Sequence, residues 1–452
     1  MLDPFAAKEL AALQHDGLMD ALLTTAPVSS AELERVMTIA RRRLLKETQS
    51  ISNSQPDTLL PFASSLAQQC FINEYVFNVD EAERVETERL RDSLAEASRA
   101  GHTVDPLRLA VLACYMPLGD LPDCEQLADR DWPAPVRAIV TQQIREPMVE
   151  RDIRPSIAHM TAIEDATSVK VRAQYEESPY PRWTKIHAHS APMPVDQYLR
   201  TQFPGVSFTP LGNRPLKLLV AGCGTGMHAI TRARQFRDVQ VTGIDLSLSS
   251  LSYAVRKTRE LGIGNLDYAQ ADILALKPTQ SFDMIDSSGV LHHLRDPFEG
   301  WRVLTKLLKP GGLMHIGLYS AIARRDIKAA REKLSQDGKQ FSADEVRAMR
   351  TQIMSPGHAL GSIARFSDFF SMSECRDLLF HVQEHQLSIP QIADFLKQEG
   401  FAFLGFETMA RNAYLRKFPQ DKTATDLANW AAFENEYPAT FAQMYQFWIQ
   451  KT

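Results

Sequence analysis

The chain has 452 residues, 44% hydrophobic and 23% charged, with a formal net charge of −5. That is ordinary globular composition with length for two or three domains, and the acidic balance argues against a chain built around a nucleic-acid or anionic-membrane surface. Its five cysteines, Cys70, Cys114, Cys124, Cys223 and Cys375, form no C-x-x-C pair, which disfavours a disulfide framework or a zinc ribbon and fits a reducing, cytoplasmic setting.

The start, "MLDPFAAKELAALQHDG", lacks a basic segment followed by an apolar one, and no run reaches the roughly 18 apolar residues of a membrane span, so neither export nor membrane insertion is expected. Residues 1–165 read as a helical N-terminal domain for cap, dimer or acceptor contacts, a homodimer being one expectation. In "SSAELERVMTIARRRLLKE" Ser29 or Ser30 can cap, and Leu33, Val36, Met37 and Ile39 recur at helical spacing. "FASSLAQQCFINEYVF" and "PLRLAVLACYMPL" are apolar enough for inner helices, whereas "DEAERVETERLRDSLAEA" reads as a solvated one. No 34-residue repeat is visible.

Residues 166–205, with "QYEESPYPRWTKI" and "APMPVDQYLRTQFPG", carry enough proline and aromatic residues to predict a connector rather than a helix. Residues 206–408 then alternate. "LKLLVAG", "VQVTGID", "LDYAQAD", "FDMIDSSG" and "LMHIGLY" read as strands separated by helices, the pattern of an α/β, doubly wound and mainly parallel sheet. A charged helical insertion is expected over 321–388. A sixth strand is expected over 401–407, after a helix opened by Pro390 and closed by Gly400. Residues 409–452 read as a helical tail, leaving no obvious seventh strand.

The motif that carries most chemistry is "KLLVAGCGTGMHAI". A strand entering a glycine turn and then a helix lets backbone approach a ligand closely. A dinucleotide fingerprint needs its third glycine one residue later than Gly226, where Met227 stands, so a pyrophosphate is disfavoured. Asp245 ends the next strand, placed to accept two ribose hydroxyls, and Asp272 ends the third, placed to accept an exocyclic amine; "SSGVLHHL" reaches the same edge.

"VAGCGTG", Asp245, "ADI", "SSGVLHHL" and "LKPGGLMHIG" together resemble class I S-adenosylmethionine-dependent methyltransferases. "QYEESPYPRW", "SECRDLLFHVQEHQL" and "TFAQMYQFWIQK" resemble, within that class, bacterial enzymes that often carry tetratricopeptide repeats. The resemblance implies adenosylmethionine as methyl donor and a Rossmann-like sheet. It implies that Gly222, Gly224 and Gly226, with Cys223 and Thr225 between them, hold the methionine part. By the same resemblance Asp245, with Leu246, takes the ribose, Asp272, with Ile273, the adenine amine, and Ser288, Gly289 and Val290 line the floor.

Methyl transfer from a sulfonium needs alignment, exclusion of water and an unprotonated acceptor, hence few catalytic side chains. His292 and His293 read as a base near the donor methyl or as packing residues. "HVQEH" matches H-x-x-E-H: on a helix His381 and His385 would share a face, with Glu384 beside them, as an acceptor pocket, a metal site or plain structure. No third ligand is evident, so no metal is expected. Tyr175 and Trp183 can lay aromatic faces over a sulfonium, and Arg182 can pair with the methionine carboxylate, or the segment is a packed strap. The acceptor expected first is a protein or peptide side chain, with a small molecule as alternative and a catalytically silent adenosylmethionine-binding protein as a third reading. Nucleic acid is disfavoured because "SSGV" stands where an amine-directed D/N-P-P-Y/F motif would.

Overall fold

The computed structural model describes residues 17–50, 58–177, 179–186, 191–334 and 341–452. Most of the segment read for an export signal, and parts of the connector and the insertion, lie outside the described residues. The chain divides into two compact units, one taking in residues up to Asp152 with Pro181–Lys185 and Ala330–Phe380, the other Ile153–Tyr180, Ile186–Ala329 and His381–Thr452.

The first unit is helical. Leu60–Ile72 is buried nearly all round, as its apolar sequence requires, and Glu81–Arg99 opens on a capping box in which Asp80 and Glu83 each accept the other's backbone N–H. Most of the insertion folds with these helices. Its Arg350 forks onto Glu34 at 3.1 and 2.8 Å, with both side chains at most 5% exposed, and donates again to the carbonyls of Phe369 and Val76. Another carboxylate here lacks such a cation: burial, then the charge of Asp368, pushes Glu374 up to about 8. A raised carboxyl pKa means that folding favours the protonated form. Its contribution is complete below the usual carboxyl range and is lost as pH rises from about 4.5 to about 8. Glu374→Gln is therefore expected to stabilise the chain by about 1–2 kcal/mol at pH 8, with the gain vanishing near pH 4, as read by urea unfolding across pH.

The second unit is an eight-stranded sheet: β1 (Ala158–His159), β2 (Leu216–Ala221), β3 (Val239–Asp245), β4 (Leu266–Gln270), β5 (Phe282–Ser288), β6 (Leu308–Leu318), β7 (Phe401–Phe406) and β8 (Tyr445–Lys451), in the order β1-β4-β3-β2-β5-β6-β8-β7. Pairings from β1 to β6 are parallel, and β8 runs antiparallel to both β6 and β7. The alternating architecture read from the sequence is present. So is the reversal of strand order at β2, which opens a crevice at the carboxyl ends of β2 and β5.

Two segments differ from expectation. Residues 409–452 are helical only at Arg411–Lys417 and Leu427–Glu436, and then supply β8, the missing strand. Tyr445, Phe447, Trp448 and Ile449 are all buried in the middle of the sheet, so the run shows no two-residue alternation to tell it from a buried helix. The connector contains the helices Ala166–Glu177 and Val195–Gln202, because its prolines fall outside them, four between the two and Pro204 after the second. The core beside β6–β8 is aromatic: Trp301 stacks on Phe395 at 4.1 Å, and Phe406 meets Trp430, Phe441 and Phe447. No described helix is long and apolar enough to cross a membrane.

Candidate functional site

β2 delivers the chain into the glycine loop at the crevice. Gly222, Gly224 and Gly226 all have positive φ, at 80°, 51° and 86°. A β-carbon on Gly222 would lie 2.3 Å from Val290 Cγ2, and one on Gly226 would lie 2.6 Å from Ala254 Cβ. The bareness of the loop thus answers first to its own neighbours. Gly222→Ala is expected to destabilise the chain by about 2–4 kcal/mol and to weaken nucleoside binding, as measured by urea unfolding and calorimetry.

Asp245, at the end of β3, accepts the N–H of Gly224 at 2.8 Å on one oxygen and that of Ser247 at 3.0 Å on the other. Burial pushes this carboxyl up, and the N–H groups of Ser247, Gly224 and Leu246 oppose that rise only in part. A carboxylate has about four lone-pair directions, so three N–H groups leave it room to accept a ligand hydroxyl. Asp272 accepts the Leu274 N–H on Oδ1, while its own N–H donates to Thr161, beyond β1. Ile273 packs into the apolar core, and the Leu246 carbonyl accepts from Gln270. These residues fit a nucleoside with a free diol and an exocyclic amine.

The strap read in "YEESPYPRW" lies on this crevice through its first half. The Tyr180 carbonyl accepts the Thr225 N–H at 3.3 Å and the Tyr175 carbonyl accepts the Ser247 hydroxyl at 3.0 Å. Glu176 caps the helix Leu248–Glu260, binding the Leu248 N–H and the Ser249 hydroxyl while paired with Arg154. Arg182 and Trp183 fall in the helical unit, where Arg182 stands over the Phe71 ring and 3.8 Å from Glu74. The expectation that Arg182 pairs with a methionine carboxylate is therefore not what these contacts describe.

Beyond Ser288 the chain makes a short turn, Leu291–His293, and here four histidines gather. "HVQEH" is not helical as expected: the helix Met372–Phe380 stops before it, and the segment runs alongside the end of β6, with Leu387 bridging Ser320. Its backbone assigns the imidazole protons. His293 Nδ1 lies 2.9 Å from the Gln383 carbonyl and must donate, so Nε2 carries the lone pair. His381 Nδ1 accepts the Gln383 N–H at 3.0 Å, so in the neutral ring Nε2–H faces the Tyr175 hydroxyl, 3.3 Å away. The rings of His293 and His381 stack at 3.7 Å. His292, fully buried and without a side-chain hydrogen bond among the described residues, stacks on Tyr319 at 3.9 Å. Burial, and then the charges of His293 and Arg324, push its pKa well down and keep it neutral. His385 turns to the Arg295 carbonyl, and Glu384 is locked to Arg324 by two 3.2 Å bonds. Both side chains are thus engaged by neighbours, and His381 and His385 share no helical face.

A second histidine pair lies beneath the loop. Asp286 of β5 accepts from His228 Nε2 at 2.8 Å, Arg232 Nε at 2.7 Å and His315 Nδ1 at 3.0 Å. Burial opposes its charge, but His228, His315 and Arg232 hold it well below the usual carboxylate range. Three ligand atoms this close suit a cation in principle. Arg232, however, already neutralises the carboxylate, which makes this an ion network. Glu407, taking hydrogen bonds from Tyr198 and Trp448, stands 3.6 Å from the other nitrogen of His315.

Sequence reading missed Thr161, Glu176, the Gln383 backbone, Tyr319, Arg324 and Met444, which receives the Ser288 hydroxyl on its sulfur at 3.5 Å. Of these, only Glu176 carried a signal, an acid within a proline-aromatic strap.

A family profile described as a methyltransferase domain matches residues 219–314. An uncharacterized protein of Synechococcus sp. is 27% identical over 62% of this chain and 70% of its own. The ubiquinone biosynthesis O-methyltransferase of Paracidovorax citrulli is 32% identical over 29% of this chain and 54% of its own, so the chain spans about half the length of that relative. The solved structure of PKMT2 from Rickettsia typhi in complex with AdoHcy superposes with a TM-score of 0.46 at 17% identity, over 59% of this chain and 55% of that one.

Proposed function

We propose that this chain is a class I S-adenosylmethionine-dependent methyltransferase that transfers the donor's methyl group to a hydroxyl or amine acceptor deprotonated by His293. The observation that carries the reading is the Nδ1–H of His293 tied to the Gln383 carbonyl, which leaves the lone pair of the neutral ring on Nε2, in the turn that follows Ser288–Val290 in the chain. Bound in the crevice, adenosylmethionine would supply a methyl group activated by sulfonium charge. The chain's part is to hold and to exclude. Asp245 and Asp272 orient the nucleoside, Tyr175 and Tyr180 stand beside it with rings 6.2 Å apart, and His293 takes the acceptor proton as the acceptor bonds to the methyl carbon, whose bond to sulfur would break with its electron pair left on the thioether of S-adenosylhomocysteine.

The reading favoured for the acceptor is a protein or peptide side chain, narrow enough to reach a base that is 6% exposed. A small molecule is the second reading, supported by likeness to a relative named for ubiquinone biosynthesis. Labelled adenosylmethionine incubated with the protein and a cell lysate, then separated by size, tests both: label confined to low mass rejects the protein acceptor, and no label in any fraction rejects turnover.

A further inference from the structure

The core side of β5 holds a buried carboxylate, Asp286, among His228, Arg232 and His315. Asp286 is fully buried, and replacing a whole buried ion network with apolar residues is often neutral or stabilising, so stability alone is a weak reason for the network. Its contacts point elsewhere. His228 and Arg232 stand one helical turn apart on the helix Met227–Gln235, and both donate to the same Asp286 oxygen. That helix starts at Gly226, which has no side chain to cap it, so its first turn is not held by an N-cap side chain of its own. On the strand side Asp286 is in register with Val220, two residues before Gly222. One carboxylate therefore ties down the helix that leaves the glycine loop and sits in the ladder beside the strand that enters it. His315 fixes its second oxygen from β6.

We infer that Asp286, with His228 and Arg232, is a positioning set for the donor: it fixes the rotation of the helix Met227–Gln235 and so holds the glycine loop in its nucleoside-binding shape. The inference rests on the methyltransferase reading of the crevice. Its readout is donor affinity rather than chemistry, since none of the three residues meets the transferred group in this scheme.

The test is calorimetric titration of S-adenosylhomocysteine into the full chain, with steady-state kinetics against adenosylmethionine and thermal unfolding alongside. Asp286→Asn is expected to raise the Kd and the donor KM at least tenfold, while kcat at saturating donor stays within about threefold of wild type. His228→Phe tests the same helix from a side chain that is 36% exposed, and should raise Kd three- to tenfold with an unchanged Tm even if Asp286→Asn does not fold. Phe395→Leu, in the aromatic core, is the control for general destabilisation and should lower the Tm without moving Kd. Donor affinities within twofold of wild type in both network variants would overturn the inference, as would a loss matched by Phe395→Leu. A wild-type chain that binds no S-adenosylhomocysteine removes the crevice reading and this inference together, which separates that failure from this one.

Discussion

His293→Asn is expected to lower kcat by two to four orders of magnitude with little change in donor affinity. The Asn amide can still donate to the Gln383 carbonyl, as His293 Nδ1 does at 2.9 Å, so the turn Leu291–His293 keeps its anchor. What disappears is the Nε2 lone pair, and a positioned general base accounts for about 10²- to 10⁴-fold in rate. His292→Asn is the comparison: a ring without a side-chain hydrogen bond among the described residues, held neutral by burial and stacked on Tyr319, contributes through packing and should lower stability more than turnover. Turnover of His293→Asn within tenfold of wild type would remove His293 as the base.

Asp245→Ala is the second large effect, and it acts twice. The substitution deletes a charged acceptor for a ribose diol, where each hydrogen bond to a charged group is worth about 1.5–3 kcal/mol. Donor affinity should therefore fall at least a hundredfold, at about 1.4 kcal/mol per decade. It also strands the N–H groups of Gly224 and Ser247, which Asp245 now receives at 2.8 and 3.0 Å, so stability should drop by about 1–3 kcal/mol. Calorimetry and urea unfolding separate the two. A fall in stability with unchanged S-adenosylhomocysteine affinity would leave Asp245 as a prop of the loop and nothing more.

The parallel half of the sheet was legible because its strands are short apolar runs bounded by turn residues, and because Gly222, Asp245, Asp272 and Ser288 end successive strands at one edge. β8 was not. "YQFWIQK" is buried across the sheet, and continuous burial erases the periodicity that would separate strand from helix. "HVQEH" was misread for a related reason: a motif drawn on an assumed helix says nothing of a backbone that leaves the helix at Phe380. The proposed base could be nominated from "LHHL", but preferring His293 to His292 depends on a carbonyl 90 residues away, which no local pattern encodes.

The position of β8 between β6 and β7 bears on how the protein is made. Every other strand leaves the ribosome before residue 445, yet β7 has no partner in the sheet except β8, and β6 keeps an open edge until β8 arrives. A nascent chain carries both edges unpaired while it waits, and such edges recruit other chains. Closing the sheet joins residues more than a hundred positions apart, a non-local pairing that comes late in folding. The same event brings Met444 against Ser288 at the end of β5, a contact that cannot form until β8 is in place.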